Sequence, residues 1–138
     1  GGRAGPHRPQ PVVTWRARVC RVAQRAAGAT VSYGATFRAT APAWVTTIAA
    51  GYADGVRRSL SGRGEVLVEG RRQRIAGTVT MDFIMTVSDT APAEDAIATL
   101  IGSDGVETIT LDEFAEAAGT ISYEILTGLG RRVERVYR

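Results

Sequence analysis

Three tyrosines stand at positions where a phenol could do chemistry. Tyr33 falls in TVSYGATF, Tyr52 in AAGYADGVRR and Tyr123 in GTISYEIL, each close to a glycine or to the mouth of a turn. In a chain that is only 7% aromatic, such positions fill a core poorly. A phenol titrates near pH ~10 and becomes a general base at neutrality only where a positive neighbour or a hydrogen bond stabilises the phenolate. The residues flanking Tyr33 do not guarantee either. Tyr123 differs, because it sits in the first turn of a predicted helix, where free backbone N–H groups favour an anion and a hydroxyl adds one more donor to a phosphate. The structural alternative for each ring is a packed face with a wet hydroxyl.

Other chemistries lack their parts. A single cysteine, Cys20, makes no internal disulfide, and with His7 as the one histidine no metal-ligand cluster can be assembled. Cys20 is expected on a strand and His7 in a tail. Every basic side chain is an arginine, so a reaction that runs through a lysine amine cannot be completed by this chain alone. Six arginines lie between Arg57 and Arg74, but no aromatic platform interleaves them between Tyr52 and Phe83. That pattern fits a solvated hairpin face with an arginine or two on carboxylates or phosphate, and argues against nucleic acid. Glu94, Asp95, Asp112 and Glu113 occupy loop or capping positions, and neither a Ser-His-Asp set nor a glycine-rich phosphate loop occurs.

The elements that must position the tyrosines are mostly strands. With 138 residues, 44% of them hydrophobic, and a net charge of +3, the chain suits one domain with its own core. It has no apolar run of membrane-spanning length and no secretory leader, so the expectation is a cytoplasmic protein with no membrane partner. Residues 1–10 read as a linker, a tag remnant or the end of a preceding domain, and order is expected over 11–138. Val13, Trp15, Ala17 and Val19 alternate with polar partners along a half-buried strand. AWVTTIAAG reads as a more apolar strand, Glu69-Gly70 and Asp104-Gly105 as hairpin turns, and DFIMTVSD as a further strand. In TLDEFAEAAG the period changes to helical, with Thr110 and Glu113 as a capping box and Gly119 as the stop. A second short helix is expected from Ser122 as N-cap, and RRVERVYR reads as a closing strand. The predicted fold class is mostly β, a small barrel- or sandwich-like domain with one or two short late helices.

Three collinear stretches then carry a resemblance. VSYGATF, GYADGVRRSLSGRGEVLVEGRRQRIAGTVTMDFIM and AGTISYEILTGLGRRVERVY together resemble the C-terminal domain of alanine racemase, from about Pro11 to the end. The resemblance implies a mostly-β domain that follows a (β/α)8 barrel, the barrel carrying a lysine bound to pyridoxal phosphate. It implies a homodimer, with alanine as substrate and D-alanine made for peptidoglycan. Tyr33 matches the catalytic acid/base tyrosine on the cofactor face opposite the lysine, reaching into the partner subunit's barrel. Tyr52 and Tyr123 match tyrosines that narrow the substrate entrance, and Tyr123 also one that touches the cofactor phosphate. Met81 matches the residue whose backbone amide meets the substrate carboxylate, with Asp82 beside it at the entrance.

Two positions depart from the family pattern. Thr78 stands where arginine is usual and Phe83 where glutamine is usual, which bears on substrate access and not on Tyr33. The histidine that partners the catalytic tyrosine belongs to the barrel, so Tyr33 in this chain alone is an ordinary phenol. The isolated chain is therefore expected to be inactive. A free-standing binding or assembly module of the same fold, and a domain of a racemase for another amino acid, are the alternative functions.

Overall fold

The computed structural model describes residues 13–28, 30–31, 37–38 and 41–137. Alternation begins at Val13 as expected. Strand β1 runs Trp15–Arg25, with Trp15 and Val19 buried and Arg16, Arg18 and Cys20 exposed. A bulge between Val19 and Arg21 then shifts the phase, so that Val22 rather than Arg21 turns inward. The pairs Thr30–Val31 (β2) and Phe37–Arg38 (β3) form a separate two-stranded ladder. Next come β4 (Ala43–Ile48), β5 (Glu65–Val68), β6 (Arg71–Arg74), β7 (Ile84–Ser88), β8 (Ile97–Asp104) and β9 (Glu107–Ile109).

The main sheet is antiparallel throughout, in the order β6-β5-β8-β1-β4-β7, with β9 added on β8. Its end strands, β6 and β7, are joined at one isolated bridge, Ile75 to Thr86, so the sheet does not close into a barrel. Mostly-β architecture with two late helices is thus as predicted, and barrel closure is the part that fails. The Glu69-Gly70 turn holds both residues at positive φ, 51° and 78°, as a two-residue hairpin between β5 and β6 requires. At the second hairpin the turn falls one residue later than expected, on Gly105 and Val106. Asp104 ends β8, and its carboxylate accepts from the Gly70 N–H at 2.8 Å, tying one hairpin to the other.

Helix α1 (Leu111–Ala118) buries Phe114, Ala115 and Ala118 against the sheet, with Phe114 edge-on to Trp15 at 5.9 Å. Leu60, Leu67, Ile75, Leu100, Ile109 and Ile125 complete the centre of the core. The capping box at Thr110 is half made. Its hydroxyl accepts from the Glu113 N–H at 3.0 Å, but the Glu113 carboxylate is drawn to Arg72 at 2.5 Å instead of returning to the cap. Arg72 also meets Glu65 at 3.1 Å and Glu107 at 2.8 Å, so this arginine of the basic cluster pins the β5–β6 hairpin to β9 and α1. Helix α2 (Ser122–Thr127) has Ile121, not Ser122, at its N-cap; the Ser122 hydroxyl instead donates to Asp112 of α1.

The expected closing strand is absent. From Arg131 to Tyr137 the chain is a turn and a bend followed by residues in no strand, and the Arg132 side chain ties the turn to Asp54 and Asp82. No helix among the described residues is long and apolar enough to cross a membrane.

Candidate functional site

Strand β4 leads into the first part of the site. Beyond Ile48 the chain passes Ala50 and Gly51 into a short 3-10 turn, Tyr52–Asp54, closed by Gly55 at φ 110°. The Tyr52 N–H donates to the Thr80 carbonyl at 2.9 Å and the Ala53 N–H to the Met81 carbonyl at 3.0 Å. These two bonds lay the tyrosine turn directly on the segment that carries Met81 and Asp82. Contact is so close that a β-carbon on Gly51 would overlap both carbonyl oxygens. The 80–83 turn is itself closed locally: Thr80 N–H donates to the Phe83 carbonyl, and the Thr80 hydroxyl accepts from the Phe83 N–H, each at 3.0 Å.

The third segment runs from the end of α2 through Gly128 and Gly130 to Arg132. A β-carbon on Gly55 would stand 2.8 Å from the Gly128 carbonyl, and one on Gly130 would overlap the Ala53 carbonyl. The Gly130 N–H donates to the Asp54 carbonyl at 2.9 Å. Arg132 then enters between the other two segments. Its Nε donates to Asp54 Oδ1 at 2.5 Å, and its Nη2 reaches Asp54 Oδ2 at 3.2 Å, Asp82 Oδ1 at 2.6 Å and the Met81 carbonyl at 3.3 Å. Asp54 is buried, and its Oδ2 also accepts from the Gly51 N–H at 2.9 Å. Hydrogen bonds donated to Asp54 first, then to Asp82, hold the Arg132 guanidinium above its already high ordinary pKa, so it stays charged wherever the protein is folded.

Three of the sequence-selected residues are therefore neighbours: Tyr52, Met81 and Asp82. A hollow of about 320 Å³ opens beside Asp82, bordered by Ala49, Asp54, Asp82, Phe83 and Arg132. Tyr52 is 44% exposed and lies under the Arg58 guanidinium, 5.7 Å from the ring centre. Tyr123 is not in direct contact with that group. It sits on α2, 71% exposed, and α2 is tied to the Tyr52 loop by the Arg57–Glu124 ion pair at 3.7 Å and by the Gly55–Gly128 approach. Phe83 remains on the rim and Thr78 is half-buried. Tyr33 lies outside the described residues.

Arg132 and Asp54 were missed by sequence reasoning, which took Asp54 as a turn residue and Arg132 as part of a strand. They are 78 positions apart, and no linear spacing announces such a pair. The one available signal was chemical: an aspartate buried in a tight apolar-flanked turn requires a cation.

The sequence profile of the alanine racemase C-terminal domain matches residues 12–137, which is nearly the whole chain. The chain belongs to the alanine racemase C-terminal domain family. It is 45% identical to the alanine racemase of Carboxydothermus hydrogenoformans over 132 residues, covering 93% of this chain and 35% of that protein. Among solved structures it superposes on the Bacillus anthracis alanine racemase with bound L-Ala-P at a TM-score of 0.91 and 39% identity, covering 96% of this chain and 34% of that one. A Bartonella henselae alanine racemase with covalently bound pyridoxal phosphate matches at a TM-score of 0.84 and 33% identity, over 91% of this chain and 34% of that one. The chain thus spans about a third of the length of these alanine racemases. The mostly-β fold and the paired Tyr52 and Met81 segments described above belong to that domain.

Proposed function

We propose that this chain is the C-terminal part of a two-domain, pyridoxal phosphate-dependent alanine racemase, in which residues 11–138 form the β domain and a (β/α)8 barrel precedes it. The enzyme interconverts L- and D-alanine in the cytoplasm for peptidoglycan and works as a homodimer. The observation that carries this is local. Tyr52, Met81 and Asp82, singled out by their match to family site residues, are held together by the Tyr52–Thr80 and Ala53–Met81 backbone bonds, and Asp82 borders a hollow.

The residues present fit the periphery of the cofactor. With no lysine in the chain, the carbonyl of pyridoxal phosphate must be held by the barrel. The Tyr123 hydroxyl, exposed and without a partner among the described residues, is suited to donate to its phosphate. When bound, pyridoxal phosphate acidifies the Cα–H of the amino acid joined to it.

What this chain adds is a second proton-transfer group and a frame for the substrate. Racemisation requires one acid/base on each face of a planar carbon, because a single base returns the proton to the side from which it took it. Tyr33 takes the face opposite the barrel's lysine. The Met81 N–H donates to the substrate carboxylate, and Tyr52, Asp82 and Tyr123 narrow the approach. A histidine supplied by the barrel is what lets the Tyr33 phenol transfer a proton near neutral pH.

The test compares the chain alone with the same chain joined to a compatible barrel. The chain alone, incubated with pyridoxal phosphate and L-alanine, produces no D-alanine, whereas the joined protein does. D-alanine formed by the chain alone, once host racemase is removed, would overturn the division of labour. No D-alanine from a folded, cofactor-loaded joined protein would favour a non-catalytic assembly module.

A further inference from the structure

We propose that Gly51 is a positioning residue: by carrying no side chain it lets the Tyr52 N–H grip the Thr80 carbonyl, and so aims the Met81 N–H of that same peptide at an amino-acid carboxylate. The inference rests on the functional reading above, which gives the Met81 amide its partner, and deepens it by assigning what sets that amide's direction.

The Thr80 carbonyl and the Met81 N–H are the two polar groups of one planar trans peptide, so they point opposite ways. The carbonyl accepts from the Tyr52 N–H at 2.9 Å. The N–H is thereby aimed away from the Tyr52 turn, and it meets no acceptor among the described residues. What permits the grip is the residue before Tyr52. A β-carbon on Gly51 would overlap the Thr80 and Met81 carbonyl oxygens, which are the acceptors of the Tyr52 and Ala53 N–H groups. Backbone conformation does not ask for a glycine there, since φ −142° suits any residue. Nor can Gly51 retreat: it is buried, its N–H donates to Asp54 Oδ2 at 2.9 Å, and its carbonyl accepts from the Asp54 and Val56 N–H groups at 2.9 and 3.1 Å. The segment facing it is the softer side, with Met81 51% exposed and Phe83 39% exposed. A methyl group at position 51 is therefore relieved by displacing the Thr80–Met81 peptide, which turns the Met81 amide off its line. The other hold on this turn is the Thr80 hydroxyl, which accepts from the Phe83 N–H at 3.0 Å.

The test uses Gly51→Ala in the full two-domain enzyme, beside unsubstituted protein and Gly102→Ala as a control. Gly102→Ala also costs stability, through φ 127° and a 2.9 Å approach to the Thr14 side chain, but it lies on β8, outside the three segments of the site. Two readouts are taken. Amide hydrogen exchange follows the Tyr52 N–H, corrected for its new neighbour, with the core amide of Val66 as reference. Steady-state kinetics separate KM from kcat. Expected in Gly51→Ala is Tyr52 exchange faster by roughly tenfold relative to Val66, with KM for alanine raised roughly ten- to hundredfold and kcat changed far less. That is the pattern of losing a hydrogen bond to a charged group made in ground and transition state alike. Gly102→Ala is expected to leave both readouts unchanged. Unchanged Tyr52 exchange in Gly51→Ala would overturn the positioning role, as would faster exchange with unchanged KM or an equal rise of KM in Gly102→Ala. Should Gly51→Ala not fold, Thr80→Val decides, because it loosens the same peptide by removing only the hydroxyl that closes the turn on Phe83. Both readouts are then expected to move the same way by a few fold, and no change in either would overturn the proposal. Failure of the functional reading shows separately, as no racemisation by the unsubstituted enzyme.

Discussion

Gly51 lies against the Met81 carbonyl so closely that it admits no side chain, although its backbone, at φ −142°, is one any residue can adopt. The glycine is there for room and not for conformational freedom. Gly62 is the opposite case, with φ 71° and open space around a built β-carbon.

Substituting each with alanine separates the two costs. Gly51→Ala is expected to lose more than ~2 kcal/mol, since backbone must move to relieve the overlap. Gly62→Ala is expected to lose about 1 kcal/mol from the left-handed backbone alone. Urea denaturation of both variants checks the order, and equal losses would mean the Gly51 approach is easily relaxed.

A buried pair on the sheet gives a second expectation. Thr46 and Thr86 face each other across β4 and β7, both fully buried. The Thr86 hydroxyl donates to Gln73 Oε1 at 2.6 Å, whereas the Thr46 hydroxyl has no partner among the described residues. Thr46→Val, which removes an unmet polar group at nearly constant volume, is expected to stabilise the fold by about 1 kcal/mol. Thr86→Val is expected to destabilise it by ~1–3 kcal/mol, since it leaves the Gln73 oxygen buried without its donor. Thermal melts at one pH read both signs.

These contrasts also show what was legible in the chain. Strand β1, the two hairpins and α1 were readable because alternation, glycine pairs and a helical stripe are local signals, and Trp15, Gly70 and Phe114 obeyed them. The capping box at Thr110 was half right, because Arg72 competes for the Glu113 carboxylate and no local rule contains that arginine. The closing strand was wrong for the same reason at larger scale: no neighbouring edge among the described residues receives residues 131–137, and Arg132 is captured by Asp54. In the site, Tyr52, Met81 and Asp82 came from motif resemblance, and the structure brings them together. Their anchor, Arg132, was invisible because its partners lie 50 and 78 positions away.

The central claim is that Tyr33 supplies the proton-transfer group for one face of the amino acid. Its most direct measurement is Cα deuterium exchange in the full two-domain enzyme carrying Tyr33→Phe, started separately from D-alanine and from L-alanine, with Tyr123→Phe beside it. Tyr33→Phe removes a hydroxyl and keeps the ring, so cofactor binding should persist while racemisation falls by roughly a hundred- to ten-thousandfold, the usual scale for losing a general acid/base. Tyr123→Phe should instead weaken cofactor affinity through loss of a phosphate donor. In Tyr33→Phe, exchange from D-alanine, the side assigned to the barrel's lysine, should survive and exchange from L-alanine should be lost. An equal fall from both enantiomers, with cofactor still bound, would contradict the assignment of Tyr33 as the second base.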